Sequence, residues 1–295
     1  MRLSMETYGL RRRFGDYEAA RLIREAGFDC VDYSCYYWKE QAHALEDGYR
    51  EYARALRAHL DGLGLSCNQS HAPFSMKYGQ PFDPSDSEYR GVIRSMEVAS
   101  ILGAHQIIIH SIAMPEAQRD DTEATHEYAM AYYRSLLPYA ERFGIRIGVE
   151  NLFVRYKDRK FVYAKRLNSP ETLSRVVREL DSPWVTACLD MGHAAMVGYE
   201  PEDFIRGMDK GLLGAVHFQD GDYIEDRHTL PFLGQYHWSE IMKALAETGY
   251  TGDLTFEIYK YYQNLPDEAI PYALKMAEAV GRSLIRIFQS GGTES

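Results

Sequence analysis

Short apolar runs alternate with longer amphipathic segments along the whole chain. Eight of the short runs read as strands: Arg2 to Glu6, Cys30 to Ser34, Leu65 to Ser70, Gln106 to His110, Arg146 to Glu150, Thr186 to Asp190, Ala215 to Phe218 and Leu254 to Glu257. The segments between them carry helical spacing. Val92, Met96 and Ala99 recur at intervals of four and three within Tyr89 to Leu102. Ser169 followed by Pro170 supplies a cap and a first-turn proline ahead of the stripe Leu173, Val176, Val177 and Leu180. The last helix shows one face through Ile270, Leu274, Ala277, Leu284 and Phe288, with Gly281 at the intermediate place. Between Thr125 and Phe143, Pro138 falls inside the periodic pattern. It is expected to kink or end that helix, because proline has no N–H and crowds the preceding turn.

Strand-helix alternation of this kind predicts an α/β protein with a parallel sheet, and eight such units imply a (β/α)8 TIM barrel. No Pro/Gly/Ser-rich linker divides the chain, so residues 1–289 are expected to form one domain and 290–295 a disordered tail. Composition narrows the class further. No charged leader with an apolar core opens the chain, and no apolar run is long enough to span a bilayer, so a soluble cytoplasmic protein is expected. Cys30, Cys35, Cys67 and Cys188 show no metal-knuckle spacing and read as reduced core thiols. A formal net charge of -10 repels phosphate backbones and argues against nucleic acid as a partner. One local exception is the basic run Arg155, Lys157, Arg159, Lys160, Lys165 and Arg166. It reads as a solvated loop, a subunit contact, or a device that captures an anionic substrate group.

The stretch "VENL" poses a chemical question. A strand that reads as buried ends in a carboxylate, Glu150, although an unpaired buried charge is costly. The oddity recurs at the same end of other strands: His71 in "NQSH", His110 in "IIIHS", Asp190 and His193 in "CLDMGH", His217 in "VHFQD" and Glu257 in "TFE". Singly, a strand-end histidine is more often a hydrogen-bonded core residue and an aspartate a helix cap. Together, on the barrel face where active sites form, these groups need a compensating cation, and mixed O/N donors suit Mn²⁺, Zn²⁺, Co²⁺ or Mg²⁺. Tyr36, Tyr37 and Trp38 follow the second strand and read either as helix packing or as a stacking floor for a sugar, with Trp38 the substrate contact.

These motifs resemble the xylose isomerase-like TIM barrels, a superfamily that includes sugar isomerases and epimerases, inosose-processing enzymes and type IV AP endonucleases. The flanking "EAGFDCVDYS" and "LAETGYTGDLTFEI" are similar too, and the resemblance covers nearly the whole chain. In its epimerase branch it implies one divalent ion, Mn²⁺ foremost, on Glu150, Asp190, His217 and Glu257. In its nuclease branch it implies a three-zinc cluster, with His71, His110, His193, Asp226 and His228 as further ligands; in a one-metal site these become substrate contacts. An arginine several residues past the seventh-strand histidine is also implied. Tyr223 stands at that distance here and Arg227 comes later, so Arg227 is the substrate contact carried over.

The expected function is a metal-dependent keto-sugar isomerase or epimerase in which Glu150 and Glu257 move a proton at the carbon beside a carbonyl. The alternatives are a trinuclear zinc phosphodiesterase of the AP endonuclease kind and a keto-sugar or cyclitol dehydratase or lyase subunit. A small-molecule sugar is the expected partner, membrane is excluded, and homo-oligomerisation stays open.

Overall fold

The computed structural model describes residues 1–36, 46–74, 77–156 and 163–291, with the backbone alone for 163–165. Tyr37, Trp38, Lys157, Arg159, Lys160 and the tail beyond residue 291 lie outside the described residues, as does the side chain of Lys165.

Among the described residues ten strands run in chain order: β1 (Leu3–Glu6), β2 (Cys30–Ser34), β3 (Ser66–His71), β4 (Gln106–Ile109), β5 (Arg146–Glu150), β6 (Leu152–Arg155), β7 (Tyr163–Arg166), β8 (Val185–Asp190), β9 (Leu213–Phe218) and β10 (Leu254–Phe256). Eight of them form a closed parallel barrel in the order β1, β2, β3, β4, β5, β8, β9, β10, with β10 returning to β1 through Leu3 opposite Leu254 and Met5 opposite Phe256. This is the expected (β/α)8 architecture. The helices between strands present the predicted stripes: Asp86 caps Ser87–Leu102, and Ser169 and Thr172 form a reciprocal capping box on Pro170–Leu180.

The structure corrects the sequence reading in three places. First, β6 and β7 form an antiparallel hairpin, Leu152 opposite Arg166, inserted between β5 and its helix. Four-residue strands flanked by a basic stretch leave too little periodicity to be read. Second, several strand ends move: β4 stops at Ile109 and β10 at Phe256, so His110 and Glu257 stand just past the ladder, while β3 extends to His71. Pairing with neighbours, absent from local sequence, sets these ends. Third, the helix Thr122–Phe143 continues through Pro138. Tyr132, Tyr133, Leu136 and Ala140 are buried along it, and that packing outweighs the ~3 kcal/mol typical of an interior proline.

The main core lies between sheet and helices, and a small inner cluster of Ile108, Cys188 and Ala215 fills the barrel interior. All four cysteines are free and buried, as expected of core thiols. Among the described residues no helix is long and apolar enough to cross a membrane.

Gly281 explains its own place in the last helix, Ile270–Gln289. A Cβ there would lie 2.4 Å from Leu3 Cδ1 and 3.0 Å from Phe256 Cε2, on the two strands that close the barrel. Alanine would gain ~1 kcal/mol of helix propensity but overpack this seam at about 1–3 kcal/mol. Gly281→Ala is therefore expected to be net destabilising by up to about 2 kcal/mol, lowering the thermal midpoint by up to about 6 °C in a circular dichroism melt; a raised midpoint would contradict the close approach.

Candidate metal centre and pocket

Barrel closure brings the strand-end groups together. Ligand atoms of Glu150, Asp190, His217 and Glu257 all lie within 4.8 Å of one another, and all four residues are buried. Register accounts for the meeting: Asp190 pairs with His217 across β8 and β9, and His217 pairs with Thr255 of β10. His217 is the hub. Its Nδ1 lies 2.9 Å from Glu150 Oε1, 3.1 Å from Glu257 Oε2 and 3.8 Å from Asp190 Oδ2.

The groups around the hub orient it. Gln69 Nε2 lies 3.1 Å from His217 Nε2 and donates to Asp32 Oδ2 at 2.6 Å, and Cys188 Sγ lies 3.4 Å from the same imidazole nitrogen. His71 Nδ1 donates to Asp32 Oδ1 at 2.9 Å, and Gln106 Nε2 donates to Gln69 Oε1 at 3.2 Å. Gln219 Nε2 holds both Asp190 oxygens, at 2.9 and 2.8 Å, and Asp190 Oδ1 also accepts the His193 N–H at 2.7 Å. Such supporting contacts fix the direction of ligating side chains. Sequence reasoning missed Asp32, Gln69 and Gln219. The available signal was a polar residue inside an apolar strand, or one step past its end, at positions that the pleat turns toward the barrel axis.

Burial tends to raise the Glu150 carboxyl, but His110 and His217 beside it outweigh that and hold it well below the usual carboxylate range. Glu257 is likewise held low against burial by His217 and His228. Asp190 moves the other way, raised by burial and by the charges of Glu257 and Glu150, which outweigh His193. Burial disfavours a charged His217, yet Cys188 and Glu150 push it well above its ordinary value, so the imidazole balances the surrounding carboxylates. The buried atoms that find no hydrogen bond include Glu150 Oε2, His71 Nε2, His110 Nδ1, Asp226 Oδ1 and Arg166 Nε at this site. Glu150 Oε2 sits 2.7 Å from His110 Nε2 without completing one. Three carboxylates, one imidazole and an orphaned carboxylate oxygen form a donor set that fits a single divalent cation.

Above the cluster opens a pocket of about 240 Å³, in which His110, His193, Asp226 and His228 face Glu150 and Glu257. Phe74 stacks on His110 with centroids 4.1 Å apart, and Tyr36 donates its hydroxyl to Glu257 Oε1 at 2.9 Å. His228 donates from Nε2 to Asp226 Oδ2 at 2.7 Å and from Nδ1 to the Glu257 carbonyl at 3.0 Å. Burial opposes its charge, yet Asp226 and Glu257 raise it to about 10. His71 lies beneath the pocket with Asp32 and His217. Among the described residues, His110, His193, Asp226 and His228 join no further group of three mutually close donors.

Arg227, expected to contact substrate, is not in this pocket. Its side chain is 53% exposed and pairs with Asp222 at 2.7 Å, because Asp222 also accepts the N–H groups of Ile224 and Glu225 and so fixes a turn that directs Arg227 to solvent. Arg166, from the unpredicted hairpin, does line the pocket. Trp38, the other expected contact, lies outside the described residues; its neighbour Tyr36 is in the wall.

Residues 20–280 match the xylose isomerase-like TIM barrel family, and the chain belongs to that family. It is 24% identical over 246 residues to an uncharacterized protein of Methanocaldococcus jannaschii, spanning 80% of this chain and 76% of that one. A crystal structure of a D-tagatose 3-epimerase-like protein superposes with a TM-score of 0.73 at 21% identity, over 98% of this chain and 99% of the other. A D-psicose 3-epimerase from Clostridium cellulolyticum H10, solved with D-tagatose, gives 0.73 at 16% identity, over 97% and 99%. Identities this low establish a shared fold.

The loop carrying Asp226 and His228 is anchored by one buried carboxylate. Asp220 accepts from the backbone N–H of Gly221 at 2.8 Å, Phe232 at 2.8 Å and Tyr236 at 3.2 Å, and from Trp238 Nε1 at 2.8 Å. Asp220→Ala strands these donors and is expected to cost about 3 kcal/mol or more. Amide hydrogen exchange should accelerate over residues 221–236 while the sheet stays protected. Unchanged exchange would show that the loop is held by something else.

Proposed function

We propose that the protein is a divalent-metal-dependent keto-sugar epimerase or isomerase. The observation that carries this reading is the four-residue cluster of Glu150, Asp190, His217 and Glu257 on the floor of a pocket walled by polar and aromatic side chains. The fold shared with proteins described as D-tagatose 3-epimerase-like and D-psicose 3-epimerase supports it. Those four residues would hold the ion, which supplies Lewis-acid stabilisation to a substrate carbonyl when bound.

The remaining chemistry belongs to the chain's own groups. Removing a proton from the carbon beside a carbonyl needs a base in the ionised state, and the environment keeps both Glu150 and Glu257 ionised. Their strands are separated in the barrel by β8 and β9, so the two carboxyl groups approach the pocket from different sides. One takes the proton from one face of the carbon. A water held by the other carboxylate protonates the opposite face, which inverts the centre, and the hydroxide so formed takes back the proton from the first carboxyl. Tyr36, hydrogen-bonded to Glu257, steadies that carboxylate. His193, whose Nδ1 donates to the Asn151 carbonyl at 2.9 Å, presents its other nitrogen to a substrate hydroxyl. A one-metal reading is favoured over a trinuclear one because, among the described residues, the remaining pocket histidines gather no second set of carboxylates.

Elemental analysis is expected to find about one Mn, Co, Mg or Zn per chain, and Asp190→Asn to lose it. About three zinc per chain would instead support the phosphodiesterase reading. A panel of ketohexoses and ketopentoses incubated in D₂O should incorporate deuterium beside the carbonyl. Glu150→Gln and Glu257→Gln should each slow this by roughly a thousandfold with far-ultraviolet dichroism unchanged. Full exchange activity in either variant would remove the two-carboxylate mechanism.

A further inference from the structure

The hairpin β6–β7 folds over the barrel mouth and places one cation in the pocket wall. Arg166 sits at the end of β7, opposite Leu152, and lines the same pocket as Glu150 and His193. Its Nε is buried with no hydrogen-bond partner, and it forms no ion pair with any described carboxylate. This sets it apart from many of the chain's other arginines: Arg2, Arg11, Arg50, Arg175, Arg206 and Arg282 each meet a carboxylate at 3.2 Å or closer. Glu150 attracts the guanidinium through the field of the pocket but forms no ion pair with it, its Oε1 lying 2.9 Å from His217 Nδ1. Burial lowers the guanidinium only to about 10, so it keeps its charge at neutral pH. A buried guanidinium N–H without a hydrogen-bond acceptor is costly, and a planar fork of donors is suited to an anion's oxygens.

We infer that the substrate carries an anionic group, a carboxylate or a phosphate, and that Arg166 is the specificity-determining residue that receives it. The inference rests on the keto-sugar reading of the same pocket and deepens it. The pocket then has two poles: the carboxylate and imidazole cluster for the reacting carbonyl end, and the Arg166 fork for the charged end. A pocket of about 240 Å³ suits a short-chain ligand. Phe74 and Phe153 supply apolar walls between the poles. The solved relatives named above are described with neutral ketoses, so the charge would mark a different substrate.

Isothermal titration of the intact protein, supplied with Mn²⁺, would compare D-fructose, D-fructose 6-phosphate and 2-keto-D-gluconate. At least one of the two anions is expected to bind about tenfold tighter than fructose or more, and which one does so distinguishes phosphate from carboxylate. Arg166→Gln should abolish that preference, weakening the preferred anion at least tenfold more than fructose, and Arg166→Lys should restore part of it. Equal affinities, a preference for fructose, no binding of any of the three, or an anion preference that survives Arg166→Gln would each overturn the inference. Failure of the keto-sugar reading looks different: anion preference and its loss in Arg166→Gln would persist, with no deuterium incorporated from D₂O.

Discussion

The structure is organised around the cost of placing Glu150, Asp190 and Glu257 together in a buried site. Mutual repulsion and desolvation both oppose it, and an uncompensated arrangement would be strongly destabilising. His217 supplies the first compensation, with its Nδ1 inside the group and its Nε2 held from below by Gln69. His228, raised by Asp226 and Glu257, adds further positive character at Glu257. The remaining imbalance is visible in Asp190, whose carboxyl is raised while its neighbours are lowered. A divalent cation at this point would relieve the same strain more completely, which is why the cluster and the proposed ion make one argument.

Much of the scaffold serves that cluster. The barrel must be closed for groups from β5, β8, β9 and the segment after β10 to share one axis, and closure depends on the tight seam of Leu3, Phe256 and Gly281. Below the cluster, Gln106, Gln69, Asp32 and His71 form a hydrogen-bonded column through the barrel interior. This column replaces part of what would otherwise be apolar filling and fixes the tilt of the His217 ring. Beside it, Asp220 ties the long loop after β9 into a single conformation, and with it the Asp226 and His228 pair. Preorganisation of this kind keeps reacting groups in place without a cost at the moment of reaction.

The fold is shared with proteins whose names differ in the sugar, and the fold alone does not set the substrate. In this chain the hairpin after β5 contributes to the pocket wall. It brings Leu152, Phe153 and Arg166 over the mouth and turns a shallow barrel end into a walled pocket. The proposed function depends on the floor, and the proposed charge preference depends on the hairpin. The two can vary independently.

The sequence by itself determined the barrel and the four floor residues. Periodicity and strand-end carboxylates are local signals, and eight parallel units leave a single closed arrangement in which Glu150, Asp190, His217 and Glu257 must converge. It also marked His110, His193, Asp226 and His228 as residues of the mouth. Tertiary structure alone decided their grouping: His71 with Asp32 beneath the pocket, His228 with Asp226 on its wall, Arg227 turned to solvent by Asp222 and Arg166 turned inward by an unforeseen hairpin. It also decided that Pro138 would not end its helix. The physical reason is the same in each case. Backbone pattern reports which face a residue occupies, whereas a side chain's partner depends on distances between segments far apart in sequence, and that information exists only once the chain has closed on itself.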